Sequence, residues 1–225
     1  WVSGFVLVTF LLVIILGRIL GVTKKQSYLL ASGTAICGGT AMASVAAVIK
    51  AKPEELLPAL SIIFILNALA VIFFPLLGTW MGLTEEQFGS WVALAIHDTA
   101  SVVGAASVMG EKAIEVAATL KLGRTLWIVP LVLFSAWYFR EKRSGLGFPL
   151  FILFFVLAVA LNSLLTPSQD VNHILKTINK VCLLTGLFCI GTQIDRSAIQ
   201  QISLKPLVLA VIIWAIVIPA SLMVV

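Results

Sequence analysis

Long apolar runs without charge recur along this chain, several of them roughly twenty residues long, enough to cross a ~30 Å hydrocarbon layer as a helix. The clearest runs from Leu56 to Trp80, and Val2 to Leu20 is another, charged only at Arg18 near its end. No soluble domain fits between such runs. Because they are continuous, they read as helices of a membrane bundle; strands of a membrane β-barrel would alternate apolar and polar residues over about ten positions. Composition agrees: 60% of the residues are apolar and 11% charged, where soluble domains hold ~45–50% apolar residues. Lipid is therefore the solvent for most of the chain. The net charge of +5 sits in short Lys/Arg clusters between apolar runs, the pattern of cytoplasmic loops and not of a nucleic-acid surface.

The fold class is accordingly all-α, a single polytopic transmembrane domain over residues 1–225. Beyond the two runs above, apolar segments cover Leu126 to Phe139, Phe148 to Leu165, Val181 to Ile194 and Pro206 to the end. The chain begins at Trp1 where a complete protein would begin with Met, and further residues are expected before it.

Two other stretches are apolar but rich in small residues. Ser27 to Ile49 contains GTAICGGTA (Gly33 to Ala41), and Phe88 to Met109 contains HDTASVVGAAS (His97 to Ser107). Lys and Arg counts set orientation in membrane proteins. If the clusters at 18–25, 50–52 and 140–143 are cytoplasmic, the first stretch starts and finishes on one side, as a re-entrant hairpin. The acidic loop at Glu85 and Glu86 then lies outside, and the second stretch becomes a hairpin entering from the opposite face. Each stretch is also long enough to cross once as a broken helix, so both topologies stay open. Either puts irregular backbone at membrane depth, which is tolerated where protein buries it or it lines a wet cavity. The stretches also resemble each other: Thr40 and Ala41 align with Thr99 and Ala100, each pair followed by small residues, a charged turn, an apolar helix and a proline, Pro75 or Pro130. Paired Gly-interrupted segments of this kind mark binding sites in inverted-repeat transporters.

Chemistry concentrates in these stretches. Gly38, Gly39 and Thr40 lie among further hydroxyls, where glycines permit a turn and free amides to face a ligand; close helix packing by small residues is the competing reading. His97 and Asp98 are adjacent, and an ionisable group at mid-membrane costs about 2.5–3.5 kcal/mol on insertion scales. Thr99 and Ser101 add hydroxyls. Asp98 is a candidate for coupling to a proton or sodium ion and His97 for donating to an anion; the alternative is a helix cap with a packed histidine. Lys121 and Arg124 share a helix face. They supply either a positive field with Arg124 gripping an oxyanion bidentately, or a structural ion pair with Glu111 and Glu115. Lys176 and Lys180 read as interfacial, and Asn67, Asn162 and Gln193 as interhelical hydrogen-bond formers.

Cys37, Cys182 and Cys189 form no CxxC arrangement, so neither zinc nor a disulfide framework is indicated. GTAICGGTA lacks the lysine of a phosphate-binding loop and no HExxH occurs. No cofactor is expected, and no enzyme.

Four motifs, GTAICGGTAMASVAAVIKAKPEE, IHDTASVVGAAS, ATLKLGRTLWIVPLVL and IGTQIDRSAI, closely resemble in order and spacing the YeiH family of bacterial inner-membrane proteins, described as sulfate exporters. The resemblance runs through nearly the whole chain. It implies a fold related to cation/proton antiporters and anion transporters, with inverted repeats, interrupted helices and several helices before Trp1. One departure is Ser101, which stands where many members carry Gln. The combined expectation is a secondary transporter in the bacterial inner membrane that carries a small anion, sulfate or a related sulfur oxyanion. Gly38, Gly39, Thr40, His97, Thr99, Ser101, Lys121 and Arg124 would bind it, and Asp98 would couple it to an ion. A sodium or proton antiporter centred on Asp98, an intramembrane enzyme and a non-transporting scaffold are the alternatives. A homodimer is compatible with this architecture.

Overall fold

The computed structural model describes residues 2–139 and 203–225, with a few scattered helical positions between 154 and 185. The expected spans at Phe148 to Leu165 and Val181 to Ile194 lie outside the described residues, as do Lys176, Lys180, Asn162, Gln193, Cys182, Cys189 and the IGTQIDRSAI motif. Contacts divide the chain into two compact units, residues 1–139 with 196–225, and residues 140–195; the first holds all the architecture described below.

Every described element of that unit is helical: α1 (Val2–Ile19), α2 (Lys24–Ser32), a π-helical turn (Gly33–Cys37), α3 (Gly39–Ile49), α4 (Pro53–Trp80), α5 (Glu85–Ala95), α6 (Thr99–Ala106), α7 (Glu111–Thr125), α8 (Ile128–Tyr138) and α9 (Leu204–Leu222). Among the described residues, four helical spans are long and apolar enough to cross a membrane: α1, α4, the joined α7 and α8, and α9. This is a multi-pass helical membrane protein. Its outward faces carry the large apolar side chains that lipid would solvate, such as Leu11 and Ile15 on α1 and Ile72, Phe73 and Leu76 on α4.

Local chemistry sets the boundaries. Thr23 caps α2 by accepting the Gln26 amide. Pro53 opens α4 at a position where its missing N–H costs nothing, with Glu54 and Glu55 favourably placed in the positive first turn. Thr84 and Gln87 form a reciprocal capping box at the start of α5. Pro130, which has no N–H to offer, lies in the first turn of α8 and follows the short irregular turn at Leu126 and Trp127.

The two small-residue stretches are hairpins. In the first, the Lys25 ammonium at the start of α2 donates to the Lys50 carbonyl at the end of α3, at 3.0 Å. Start and finish therefore share one end of the bundle. The reversal is at Gly38, whose φ of +61° disfavours any side chain, and Met42 packs back so closely on Gly33 that a Cβ there would meet its side chain at 2.6 Å. In the second, the Glu85 carboxylate at the start of α5 accepts the Lys112 amide just past the end of α6, at 3.0 Å. Between the two hairpins runs α4, 28 residues or about 42 Å at 1.5 Å per residue. One hairpin is rooted at each end of it, so they enter from opposite ends of the bundle. The nine residues of α2 and five of the π-helical turn reach about 20 Å, half the length of α4. Of the two topologies left open by the sequence, the opposed hairpins are the observed one.

The second hairpin is tied to both α4 and α9. All residues from Trp91 to Asp98 are buried, Trp91 packs on Phe74 of α4 with ring centroids 4.5 Å apart, and its indole N–H donates to the Ile218 carbonyl of α9.

Candidate functional site

The hairpin tips meet. A Cβ added to Gly38 would lie 3.2 Å from the Asp98 Cβ and 3.4 Å from its backbone. Gly38 is thus required twice, for its backbone conformation and for this approach. Gly39, next to it, would meet the tip of the Phe64 ring of α4 at 2.9 Å.

Two helix N-termini and two helix C-termini therefore converge at mid-bundle, and they are treated differently. The ascending arms, α2 with its π-helical turn and α5, end here with carbonyls that no intrahelical N–H can satisfy. Arg124 and Lys121, both fully buried, supply the missing donors from α7. Arg124 donates through Nη1 to the carbonyls of Ala93 and Leu94 at 2.7 and 2.8 Å. Through Nη2 it reaches Thr34 and Ala35 at 2.9 and 2.8 Å, and through Nε again Ala35 at 3.3 Å. Lys121 donates to Ile96 O at 2.7 Å, and the Trp214 indole of α9 donates to Ala95 O at 3.2 Å. Four consecutive carbonyls, Ala93 to Ile96, are thus satisfied by side chains of other helices. The Phe5 ring lies 5.9 Å from the guanidinium carbon, adding a cation–π contact.

This geometry corrects two expectations. Neither buried cation pairs with Glu111 or Glu115; Glu115 instead pairs with Lys112 at 3.1 Å on the exposed side of α7. The oxyanion grip expected of Arg124 is not available in this arrangement, because a guanidinium has five N–H groups and all five are committed to backbone carbonyls that tie the two hairpins together. Lys121 differs. Its ammonium carries three N–H groups, and Ile96 O is the acceptor found for it among the described residues.

The descending arms begin at the same place. Gly38 provides α3 with no side-chain cap, leaving the first amides, from Gly39 onward, without an intrahelical acceptor. Asp98 caps α6 through Oδ1, which accepts the Ser101 amide at 3.0 Å. The capping alternative for Asp98 is therefore the observed geometry for one of its oxygens. Its Oδ2 is buried and has no partner, as do both ring nitrogens of His97 and the Asn67 amide nitrogen. Buried polar atoms are nearly always hydrogen-bonded, so four orphans on three neighbouring side chains single out this region. Asn67 also holds the tip in place, its Oδ1 accepting the His97 backbone N–H at 3.1 Å. The rim is open: Thr40 is exposed, Gly39, Thr99 and Ser101 partly so.

All nine candidate residues read from the sequence lie on the hairpin tips or on α7 beside them. Two participants were not assigned to the site by that reading. Asn67 reads from the sequence as an interhelical hydrogen-bond former without a place in the site, and the signal for Trp214 is a polar-tipped side chain inside an otherwise apolar span. Among the described residues no cluster of three metal-binding side chains occurs.

Residues 2–210 match the family model described as Conserved hypothetical protein 698. The chain is 41% identical to a UPF0324 membrane protein of Bacteroides thetaiotaomicron over 89% of its own length and 61% of that protein's. It is 40% identical to one of Porphyromonas gingivalis over 91% and 63%, and 41% identical to one of Vibrio parahaemolyticus over 97% and 74%. The chain thus spans about three fifths of the first two relatives. No solved structure matches it.

Proposed function

The chain belongs to the UPF0324 (YeiH) family of membrane proteins, and from that premise we propose that it forms the substrate-binding core of a secondary transporter for a small inorganic anion. One observation carries the proposal: the N-termini of two half-helices converge at mid-bundle beside unpartnered buried polar groups, while the C-termini converging there are neutralised by Lys121, Arg124 and Trp214. An N-terminus favours negative charge because its amides are free and its dipole is positive. With the opposing carbonyls satisfied, the potential left for a ligand is that of the N-termini and their buried basic neighbours, set against the Asp98 carboxylate.

In this reading the amides of Gly39 and Thr40 and the hydroxyls of Thr40, Thr99 and Ser101 contact the anion, and His97 and Asn67 offer their free nitrogens. Arg124 is a positioning residue that holds the hairpins in register. Asp98, one oxygen tied to α6 and one free, carries the coupling proton or sodium ion. A sulfur oxyanion, tetrahedral sulfate or pyramidal sulfite, suits a shell of many N–H and O–H donors. Opposed hairpins of similar pattern make an inverted repeat the natural description, and alternating exposure of the tips the natural mechanism.

The test is thermal stability of the purified full-length protein, titrated with sulfate, sulfite, chloride and sodium. A ligand at one hundred times its dissociation constant stabilises the folded state by about 2.7 kcal/mol, a readable shift. The proposal expects a saturable upward shift with an oxyanion, lost in Thr40→Val and His97→Leu. A shift with sodium alone, lost in Asp98→Asn and indifferent to every anion, would replace this reading with a cation antiporter.

A further inference from the structure

A cavity lies near the root of the first hairpin, formed by α1, the start of α2 and α8, with a volume of about 570 Å³. Its walls are apolar and aromatic: Phe10, Leu11 and Ile14 from α1, Phe134 and Tyr138 from α8, and Tyr28 from α2. Val22 adds to the apolar lining, and the polar residues lie toward one end of those helices: Arg18 in the last turn of α1, Lys24 in the first turn of α2, and Ser27 one turn on.

The cavity is built. The Tyr28 hydroxyl and Ser135 Oγ hydrogen-bond at 2.8 Å, fixing α2 against α8. The Lys24 ammonium is held over the Tyr138 ring, 4.4 Å from its centroid, and near the Phe139 ring at 5.3 Å. Ser27, only 4% exposed, has a hydroxyl with no partner. That hydroxyl packs against Gly17 of α1, which leaves Arg18 and Lys24 as the groove's charged end; a pair of cations at one end of an apolar groove is a complement for an anion with a hydrocarbon tail. Both walls belong to membrane-spanning helices, and Leu11 and Phe134 remain 57% and 47% exposed, so the groove opens where acyl chains are the solvent.

We infer that this groove is a specific site for an anionic phospholipid, its phosphate between Arg18 and Lys24, and an acyl chain lying along Phe10, Leu11 and Phe134. Anionic lipid is enriched on the side where basic clusters reside, and each Lys or Arg near that surface attracts it. A zwitterionic lipid offers the same tail without the net charge.

The experiment uses full-length protein in vesicles containing trace photoactivatable phosphatidylglycerol or phosphatidylcholine, each with the reactive group in the acyl chain, and maps crosslinked peptides by mass spectrometry. The inference expects the segments around residues 10–14 and 134–138 to be labelled several-fold more by phosphatidylglycerol. Arg18→Gln with Lys24→Gln should abolish that preference, leave labelling of α9 unchanged and preserve the melting temperature; Lys24→Arg should retain it. Equal labelling by the two headgroups in the wild-type protein would overturn the inference, showing an ordinary lipid annulus. So would absence of labelling, which would mean that protein outside this chain covers the groove. Displacement by millimolar inorganic phosphate would also overturn it, assigning the site to the free ion.

Discussion

Arg124 makes five hydrogen bonds to four carbonyls on two different hairpins, and its planar fork is what lets one side chain do so. An ammonium in the same place reaches one hairpin. Hydrogen bonds to charged groups contribute about 1.5–3 kcal/mol each when their loss leaves a buried partner unsatisfied, so Arg124→Lys should destabilise the protein by about 3 kcal/mol or more. It should lower the melting temperature in detergent with or without anion present. Were Arg124 instead a ligand contact, Arg124→Lys would weaken anion binding and leave the unliganded melting temperature near that of the wild type. Lys121→Gln has a different expectation, since its bond to Ile96 O is one an amide can preserve: modest loss of stability, larger loss of anion affinity.

At the scale of elements, the hairpins were legible in the sequence because charge distribution constrains topology. Clusters at 18–25 and 50–52 flank the first stretch, and the acidic turn at 85 and 86 marks the opposite end of α4. Glycines located the reversal, since Gly38 needs both a positive φ and proximity to Asp98. The roles of Arg124 and Trp214 were not legible, for a physical reason. Their acceptors are backbone carbonyls exposed only where helices stop short inside the bundle, and no residue identity at positions 34, 35 or 93 to 96 announces an unsatisfied carbonyl. Glu111 and Glu115 are candidate partners only as the acids on preceding turns, and they belong to the root of α7 while the buried cations belong to its far end. The topology is directly testable. In a background with the native cysteines replaced by serine, Lys25→Cys with Lys50→Cys should crosslink readily and be labelled by an impermeant maleimide from one side of the membrane. Thr84→Cys should be labelled only from the other. Labelling of Lys25→Cys and Lys50→Cys from opposite sides would mean a single crossing by a broken helix.

For the whole molecule, the proposed function has the opposed hairpins resolve a conflict that any membrane-embedded binding site faces. Backbone ends must stop at mid-bundle to expose amides, and every exposed amide end is accompanied by a carbonyl end that repels the same ligand. Here the buried cations and an indole on neighbouring spans absorb the carbonyl ends, which leaves the tip region net attractive to an anion at the level of its dipoles. Asp98 alone works against this, since its free oxygen lies beside the N-termini that would receive the anion. A carboxylate in that position is useful if it takes up a proton or sodium ion as the anion enters, because the two ligands then cancel each other's charge in a medium that penalises both. On this reading transport of anion and coupling cation are obligatorily joined, and Asp98→Asn, which keeps an oxygen to cap α6 but cannot ionise, separates them. Full-length Asp98→Asn in proteoliposomes should still exchange anion for anion across the bilayer while losing accumulation driven by a proton or sodium gradient. Loss of both activities in a variant whose melting temperature is unchanged would place Asp98 in direct contact with the anion and remove the coupling role from it.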